Sequence, residues 1–160
     1  MLTGKEIAQS GIITDFLDEN IQQQGIDVRV SKIRRLNGIG NLPSAGKTKL
    51  PEYVDIAFNE GDTILLTEGY SELEFIEGCK VPNNVAIKPL TRSSLVRMGG
   101  NIFSGLFDAG FETEHMGCFL KVSHPFKIEY GARVAQVIAL ESNEVNNTYN
   151  GQFQNDKQRR

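Results

Sequence analysis

Two arginines with two serine hydroxyls between them occur at Arg92-Ser93-Ser94-Leu95-Val96-Arg97, directly after an apolar run that ends Lys88-Pro89-Leu90. Arginine offers forked donors that match phosphate oxygens, and hydroxyls and backbone N–H groups can fill the remaining lone pairs. A compact anion receptor is one reading, and a short capped helix with solvated arginines is the other. A second candidate is Gly105-Leu106-Phe107-Asp108-Ala109-Gly110-Phe111. Its glycines let backbone approach a ligand closely. Asp108 sits among apolar neighbours, where a carboxylate is costly unless it has partners or work to do. Taken alone, the segment is better explained by an Asp-Ala-Gly turn.

Two other patterns are weaker. Gly40 to Thr48 nearly matches a phosphate-binding loop, but five residues separate its glycines where that loop has four. Pro51 follows, so no helix starts easily there to aim its N-terminus at phosphate. His115 and Cys118 have metal-ligand spacing and His124 is near. The H-x-E and P-C-x-x-C elements of a zinc deaminase are absent.

The elements that must position these groups are mostly strands. Residues 5–10 and 15–24 have weak helical character, with Asp15 or Asp18 as a cap for a helix carrying Phe16, Leu17 and Ile21. From Gly25, apolar Ile26, Val28 and Val30 alternate with Asp27, Arg29 and Ser31, the pattern of a half-buried strand. Residues 37–51 read as a loop. Short β-type runs follow at 53–58, 62–67, 73–76, 84–90, 102–107, 117–122, 126–129 and 133–140. Many short strands separated by turn signals indicate an all-β barrel or sandwich. One domain is expected over 1–142, and residues 143–160, rich in Asn and Gln, read as a mobile tail.

Composition narrows the function. The 160 residues suit one domain with a sizeable core, and the net charge of −3 gives no sign of nonspecific nucleic-acid binding. No stretch approaches the ~20 apolar residues of a membrane span. Cys79 and Cys118 make no CxxC pair and no disulfide framework. Reduced thiols and a cytoplasmic location are expected.

Four segments in order resemble the motifs of the dUTPase/dCTP deaminase family. They are Gly25-Ile26-Asp27-Val28, Arg92-Ser93-Ser94-Leu95, Gly105 to Phe111, and Gly131-Ala132-Arg133-Val134-Ala135-Gln136-Val137. The resemblance spans Gly25 to Gln154. It implies a distorted β-barrel or jelly-roll of the dUTPase type, a homotrimer, and active sites at subunit interfaces. It also implies that Arg92, Ser93, Ser94, Leu95, Arg97 and Gln136 hold a triphosphate. Backbone around Phe103, Gly105 and Phe107 would read the pyrimidine edge. Phe111 would pack on the deoxyribose and disfavour a 2′-hydroxyl. Tyr149, Gln152 and Phe153 on the tail would close over the base. Magnesium (Mg2+) would be held by the triphosphate and water, with Asp27 as a candidate protein contact.

Two branches of the family remain. Arg97 lies five residues after Arg92, as in dCTP deaminases, and Tyr149-Asn150-Gly151-Gln152 resembles their tail. Deaminases, however, carry a glutamate in a Gly-x-Ile-x-Leu-Glu strand, and here that strand reads Gly117-Cys118-Phe119-Leu120-Lys121-Val122. Neither Val122 nor Lys121 can act as a carboxylate base. Glu112 and Glu114, in an apparent insertion, could substitute only in a rearranged loop. Hydrolysis of dUTP needs less: Asp108 to orient and deprotonate water, and arginines and magnesium on the phosphoryl oxygens. The resemblance therefore favours a dUTP diphosphatase, with a deaminase or bifunctional enzyme, or a non-catalytic nucleotide-binding regulator, as alternatives.

Overall fold

The computed structural model describes residues 1–156. The expected tail runs on to 160, and its last four residues lie outside the described ones. The chain opens with α1 (Gly4–Ser10). The Thr3 hydroxyl accepts from the Glu6 N–H while the Glu6 carboxylate accepts from the Thr3 N–H, a capping box that starts the helix.

The second expected helix, at 15–24, does not form. The segment holds only a single 3-10 turn, Asp18–Asn20, and the two-residue strand β2 (Ile21–Gln22). Asn20 overrides the weak helical pattern. It is fully buried, accepts from the Leu17 N–H through Oδ1 and donates to the Asp27 carbonyl through Nδ2. Those bonds hold a tight turn where a helix would otherwise propagate.

The main sheet follows one antiparallel path. Its order is β8 (Val85–Thr91), β13 (Arg133–Glu141), β3 (Gly25–Asn37), β6 (Gly69–Phe75), β11 (Gly117–Val122) and β9 (Gly100–Phe103). Strands β2 and β4 (Glu52–Ile56) add to β3. The two ends of the path approach each other. The Ile102 N–H donates to Thr91 Oγ1 at 3.0 Å, and Ile87 and Phe107 exchange backbone bonds of 3.0 and 2.9 Å. This nearly closes the sheet into a barrel, which removes exposed edges. Two small sheets complete it: β1 (Ile13–Thr14), β7 (Gly78–Lys80) and β10 (Glu112–Thr113), and the pair β5 (Thr63–Leu66) with β12 (Phe126–Glu129). Helix α2 (Ser93–Arg97) follows β8 directly. Among the described residues no helix is long and apolar enough to cross a membrane.

The core fills the barrel from alternate strand positions, with Ile26, Val28, Val30, Leu73, Phe75 and Leu120 all fully buried. The alternation read in β3 needs one amendment. Asp27 is also buried, because Arg92 and Arg133 fold over it. The run expected at 102–107 stops at Phe103, and Phe107 rejoins the barrel only through its bridge to Ile87.

Candidate functional site

The arginine pair lies where β8 turns into α2. Arg92 is the extended residue before the helix, and Arg97 is its last. Nε of Arg92 lies 3.0 Å from Asp27 Oδ2, and its Nη1 donates to the Arg133 carbonyl. Arg133 Nη1 lies 3.6 Å from the same Asp27 oxygen and donates to the Glu19 carbonyl. The register of β13 on β3 shifts between Arg133 and Ala135. Such an irregularity re-aims a side chain, here toward Asp27. Burial pushes the Asp27 carboxyl above its ordinary pKa, and the charges of Arg92 and Arg133 pull against that. Gln136 pairs with Asp27 across β13 and β3, so the two share a face. Ser93, Ser94 and Arg97 are exposed, and Leu95 is buried beneath them as an anchor. Arg97 has no ion pair among the described residues. The result is a corner with two cations, Arg92 and Arg133, braced on Asp27 and a third, Arg97, without an ion pair among the described residues.

Asp108 lies elsewhere, on the rim of a cavity of about 340 Å3. Apolar walls come from Phe103, Leu106, Phe107, Phe111, Tyr149 and Phe153. The ring of Phe111 packs 5.2 Å from Phe107 and edge-on at 5.4 Å from Tyr149. Ser104, Gly105, Thr113, His115 and Cys118 supply the rest of the lining that could meet a polar edge. Concave, mostly aromatic cavities with a few polar groups are the usual form of small-molecule sites. The turn that carries Asp108 is held by the barrel: Gly110 N–H donates to the Val81 carbonyl and Val81 N–H to the Phe111 carbonyl.

The tail reaches this cavity. Tyr149 N–H donates to the Ala109 carbonyl at 2.7 Å. The Gln154 amide bridges two backbone groups, accepting from Glu112 N–H and donating to the Gly110 carbonyl. Gln152 does the same to Thr48, with bonds of 3.1 and 2.9 Å. Gly110 permits the approach. It has φ of 86°, and a Cβ there would lie 2.4 Å from Thr148 Cβ. The Gly40–Thr48 loop is thus a dock for the tail: Asn41 bridges Lys49, and Thr48 meets Gln152.

An ionic network props the sheet behind the cavity. Arg34 donates to Asp55, Glu72 and Glu74, and Lys32 pairs with Glu74 at 3.0 Å. On the other side Glu77, fully buried, accepts from both the backbone and the guanidinium of Arg29. Burial raises the Glu77 pKa, opposed by those bonds.

The structure therefore gathers the expected residues into two groups. Phe103, Gly105, Phe107, Asp108, Phe111, Tyr149 and Phe153 line one cavity, with Gln152 fastening its lid. Arg92, Ser93, Ser94, Arg97 and Gln136 do not line it. Ile87, bonded to Phe107, precedes Arg92 by five residues along β8. At ~3.3 Å per residue that is roughly 16 Å. Val122 is buried in the core, and neither Glu112 nor Glu114 lines the cavity. Reasoning from sequence missed Arg133, Gln154 and Thr48 as participants. Arg133 lies inside the fourth motif, so its position carried a signal. Thr48 and Gln154 act through backbone contacts that no local pattern shows.

The nearly closed antiparallel barrel is the fold of solved dCTP deaminase and dUTPase structures. The chain belongs to the dCTP deaminase-like family, whose model matches residues 2–141. A deoxyuridine 5′-triphosphate nucleotidohydrolase of Methanocaldococcus jannaschii is 38% identical over 138 residues, covering 84% of this chain and 86% of that protein. A probable enzyme of the same name from Methanopyrus kandleri is 28% identical, covering 96% and 99%. Among solved structures, a 2′-deoxycytidine 5′-triphosphate deaminase from Agrobacterium tumefaciens superposes with a TM-score of 0.63 at 14% identity. That match covers 86% of this chain, which spans about half (46%) of the deaminase's length.

Proposed function

We propose that this protein hydrolyses dUTP to dUMP and pyrophosphate. The observation that carries the proposal is the make-up of the cavity. Asp108 is the one carboxylate among its described lining residues, and the strand position where a deaminase holds its glutamate is Val122, buried in the core. The names of the archaeal relatives support the same reading.

In this mechanism the base enters between Phe103, Phe107 and the tail rings, and Phe111 packs against the sugar. Asp108 orients a water and takes its proton as the water oxygen attacks the α-phosphorus. The bond from that phosphorus to the bridging oxygen breaks, and pyrophosphate leaves. Arg92 and Arg97 hold phosphoryl oxygens as charge builds on them. Closure of Tyr149 and Phe153 excludes bulk water.

A magnesium ion fits this site only as part of the nucleotide. Among the described residues no cluster of three His, Cys, Asp or Glu could hold a metal, and the Asp27 carboxylate is claimed by Arg92 and Arg133. The donors would be triphosphate oxygens and water, the usual arrangement for magnesium, and the ion would neutralise phosphate charge. The separation of roughly 16 Å along β8 between Arg92 and Ile87, the residue bonded to Phe107 beside Asp108, favours a homotrimer in which one chain's arginines face the next chain's Asp108. Light scattering on the purified protein tests that stoichiometry.

The test of activity is product analysis. The protein is given dUTP and dCTP separately, with magnesium or with chelator, and the products are separated by ion exchange. The expected result is dUMP and pyrophosphate from dUTP, with dCTP untouched. A uracil nucleotide formed from dCTP overturns the assignment.

A further inference from the structure

We infer that His115 reads the pyrimidine and is the residue that prefers uracil over cytosine in this cavity. The inference rests on the assignment of the cavity as the base site. It concerns a side chain from the segment between the Asp108 turn and β11, outside the four motifs.

The argument begins with hydrogen-bond direction. Nδ1 of His115 lies 3.2 Å from the carbonyl oxygen of Ile76. A carbonyl can only accept, so Nδ1 carries the proton in this contact. A neutral imidazole protonated at Nδ1 has a lone pair on Nε2 and no proton there. His115 lines the cavity, so the nitrogen that it has left to offer is a hydrogen-bond acceptor. The backbone of this segment is itself held on either side of the ring. Thr113 Oγ1 donates to the His115 carbonyl, and Met116 N–H donates to the Glu77 carbonyl.

His115 also borders a shallow hollow lined by Lys32, Glu60 and Glu74. Both oxygens of Glu74 are engaged, one by Lys32 at 3.0 Å and the other by Arg34 at 2.7 Å. Both oxygens of nearby Glu77 are engaged by Arg29.

A lone pair in that position distinguishes the two bases at one atom. N3 of uracil carries a proton and donates. N3 of cytosine carries a lone pair and would oppose the imidazole lone pair. Stacking on Phe103, Phe107 or Tyr149 cannot make this distinction, because both bases present a similar aromatic face. His115 is exposed; a bound base would cover it, and an analogue that lacks the N3 donor would leave the covered acceptor unpaired. Asp108 is also an acceptor, but its proposed work is on water at the phosphate end.

The test uses three proteins, wild type, His115→Phe and His115→Gln, and two non-hydrolysable ligands, α,β-imido-dUTP and α,β-imido-dCTP. Binding is measured by calorimetry and turnover of dUTP is followed in parallel. Phenylalanine keeps a flat ring and removes the acceptor. Glutamine places an amide oxygen near the position of Nε2. The expected result is a uracil preference in wild type that falls by a few-fold to roughly ten-fold in His115→Phe, the worth of one lost hydrogen bond. His115→Gln, whose amide offers an acceptor oxygen to uracil, keeps more affinity for α,β-imido-dUTP than His115→Phe, but its NH2 can pair with cytosine N3 and so it also loses preference. An unchanged preference in His115→Phe overturns the inference. Should the Phe variant fail to fold, the Gln variant and wild type are compared on α,β-imido N3-methyl-dUTP, which has no N3 donor: an undiminished wild-type affinity for it overturns the inference. Binding reports on His115 even if dUTP is not turned over, so the failure of the hydrolase assignment is seen separately.

Discussion

The two glutamine clamps on the tail make a graded prediction. Gln152 and Gln154 each tie two backbone groups to one amide, but their surroundings differ. Both bonds of Gln152 to Thr48 are partly buried, whereas the bond from Glu112 N–H to Gln154 is exposed and only its bond to Gly110 is partly buried. A net hydrogen bond contributes about 0.5–1.5 kcal/mol, and water replaces an exposed one at little cost. Gln152→Ala should therefore cost about 2 kcal/mol of tail closure, roughly thirty-fold in the ratio of closed to open forms, and Gln154→Ala about 1 kcal/mol, roughly five-fold. If chemistry requires the closed tail, kcat/KM for dUTP should fall in that order and by similar factors. The barrel core uses neither side chain, so thermal midpoints should match wild type. Amide hydrogen exchange supplies a local check. The Thr48 N–H should exchange faster in Gln152→Ala, and the Glu112 N–H in Gln154→Ala. Activity within two-fold of wild type in both variants, with Thr48 exchange unchanged, would refute the idea that these contacts close the site.

Three further outcomes are expected. Asp108→Asn should abolish hydrolysis while binding of α,β-imido-dUTP stays within a few-fold, and full activity would remove Asp108 from the chemistry. Arg92→Ala and Arg97→Ala should each lose on the order of 2–4 kcal/mol in kcat/KM, yet only Arg92→Ala should also lose stability, because it strips a partner from buried Asp27. Burial holds the Asp27 pKa above its ordinary value, so the folded state binds its proton more tightly than the unfolded chain does. The stability deficit of Arg92→Ala should therefore be small in acid, where Asp27 is protonated, and grow as pH rises through the raised folded-state pKa of Asp27, as denaturation across pH will show. Arg34→Met should be the most damaging structural change, leaving Glu72 and Glu74 without their guanidinium. Breaking a buried pair costs about 3–5 kcal/mol, which lowers the midpoint on the order of 10 °C for a chain of this size.

The motif residues were legible in the sequence because each has a fixed local job. Gly110 needs a positive φ, Ile26, Val28 and Val30 must alternate to fill a barrel, and Asp108 stands on a turn spelled by its neighbours. The failures are non-local. The helix expected at 15–24 loses to Asn20, whose deciding bond reaches the Asp27 carbonyl in β3. The Gly40–Thr48 loop resembled a phosphate cradle, and its partner is Gln152, far along the chain. Arg133 reaches Asp27 through an irregularity in strand pairing that composition does not mark.

The spacing between the arginine corner and the Asp108 cavity along β8 carries a consequence for inheritance and for assay design. If each working site borrows arginines from one chain and the hairpin from another, two dead proteins can make a live one. Arg92→Ala chains and Asp108→Asn chains, each inactive alone, would regain hydrolysis when unfolded together and reassembled as a mixture. Some of the reassembled sites would then carry an intact arginine corner opposite an intact aspartate. In a cell expressing both alleles, neither lesion would behave as a simple loss.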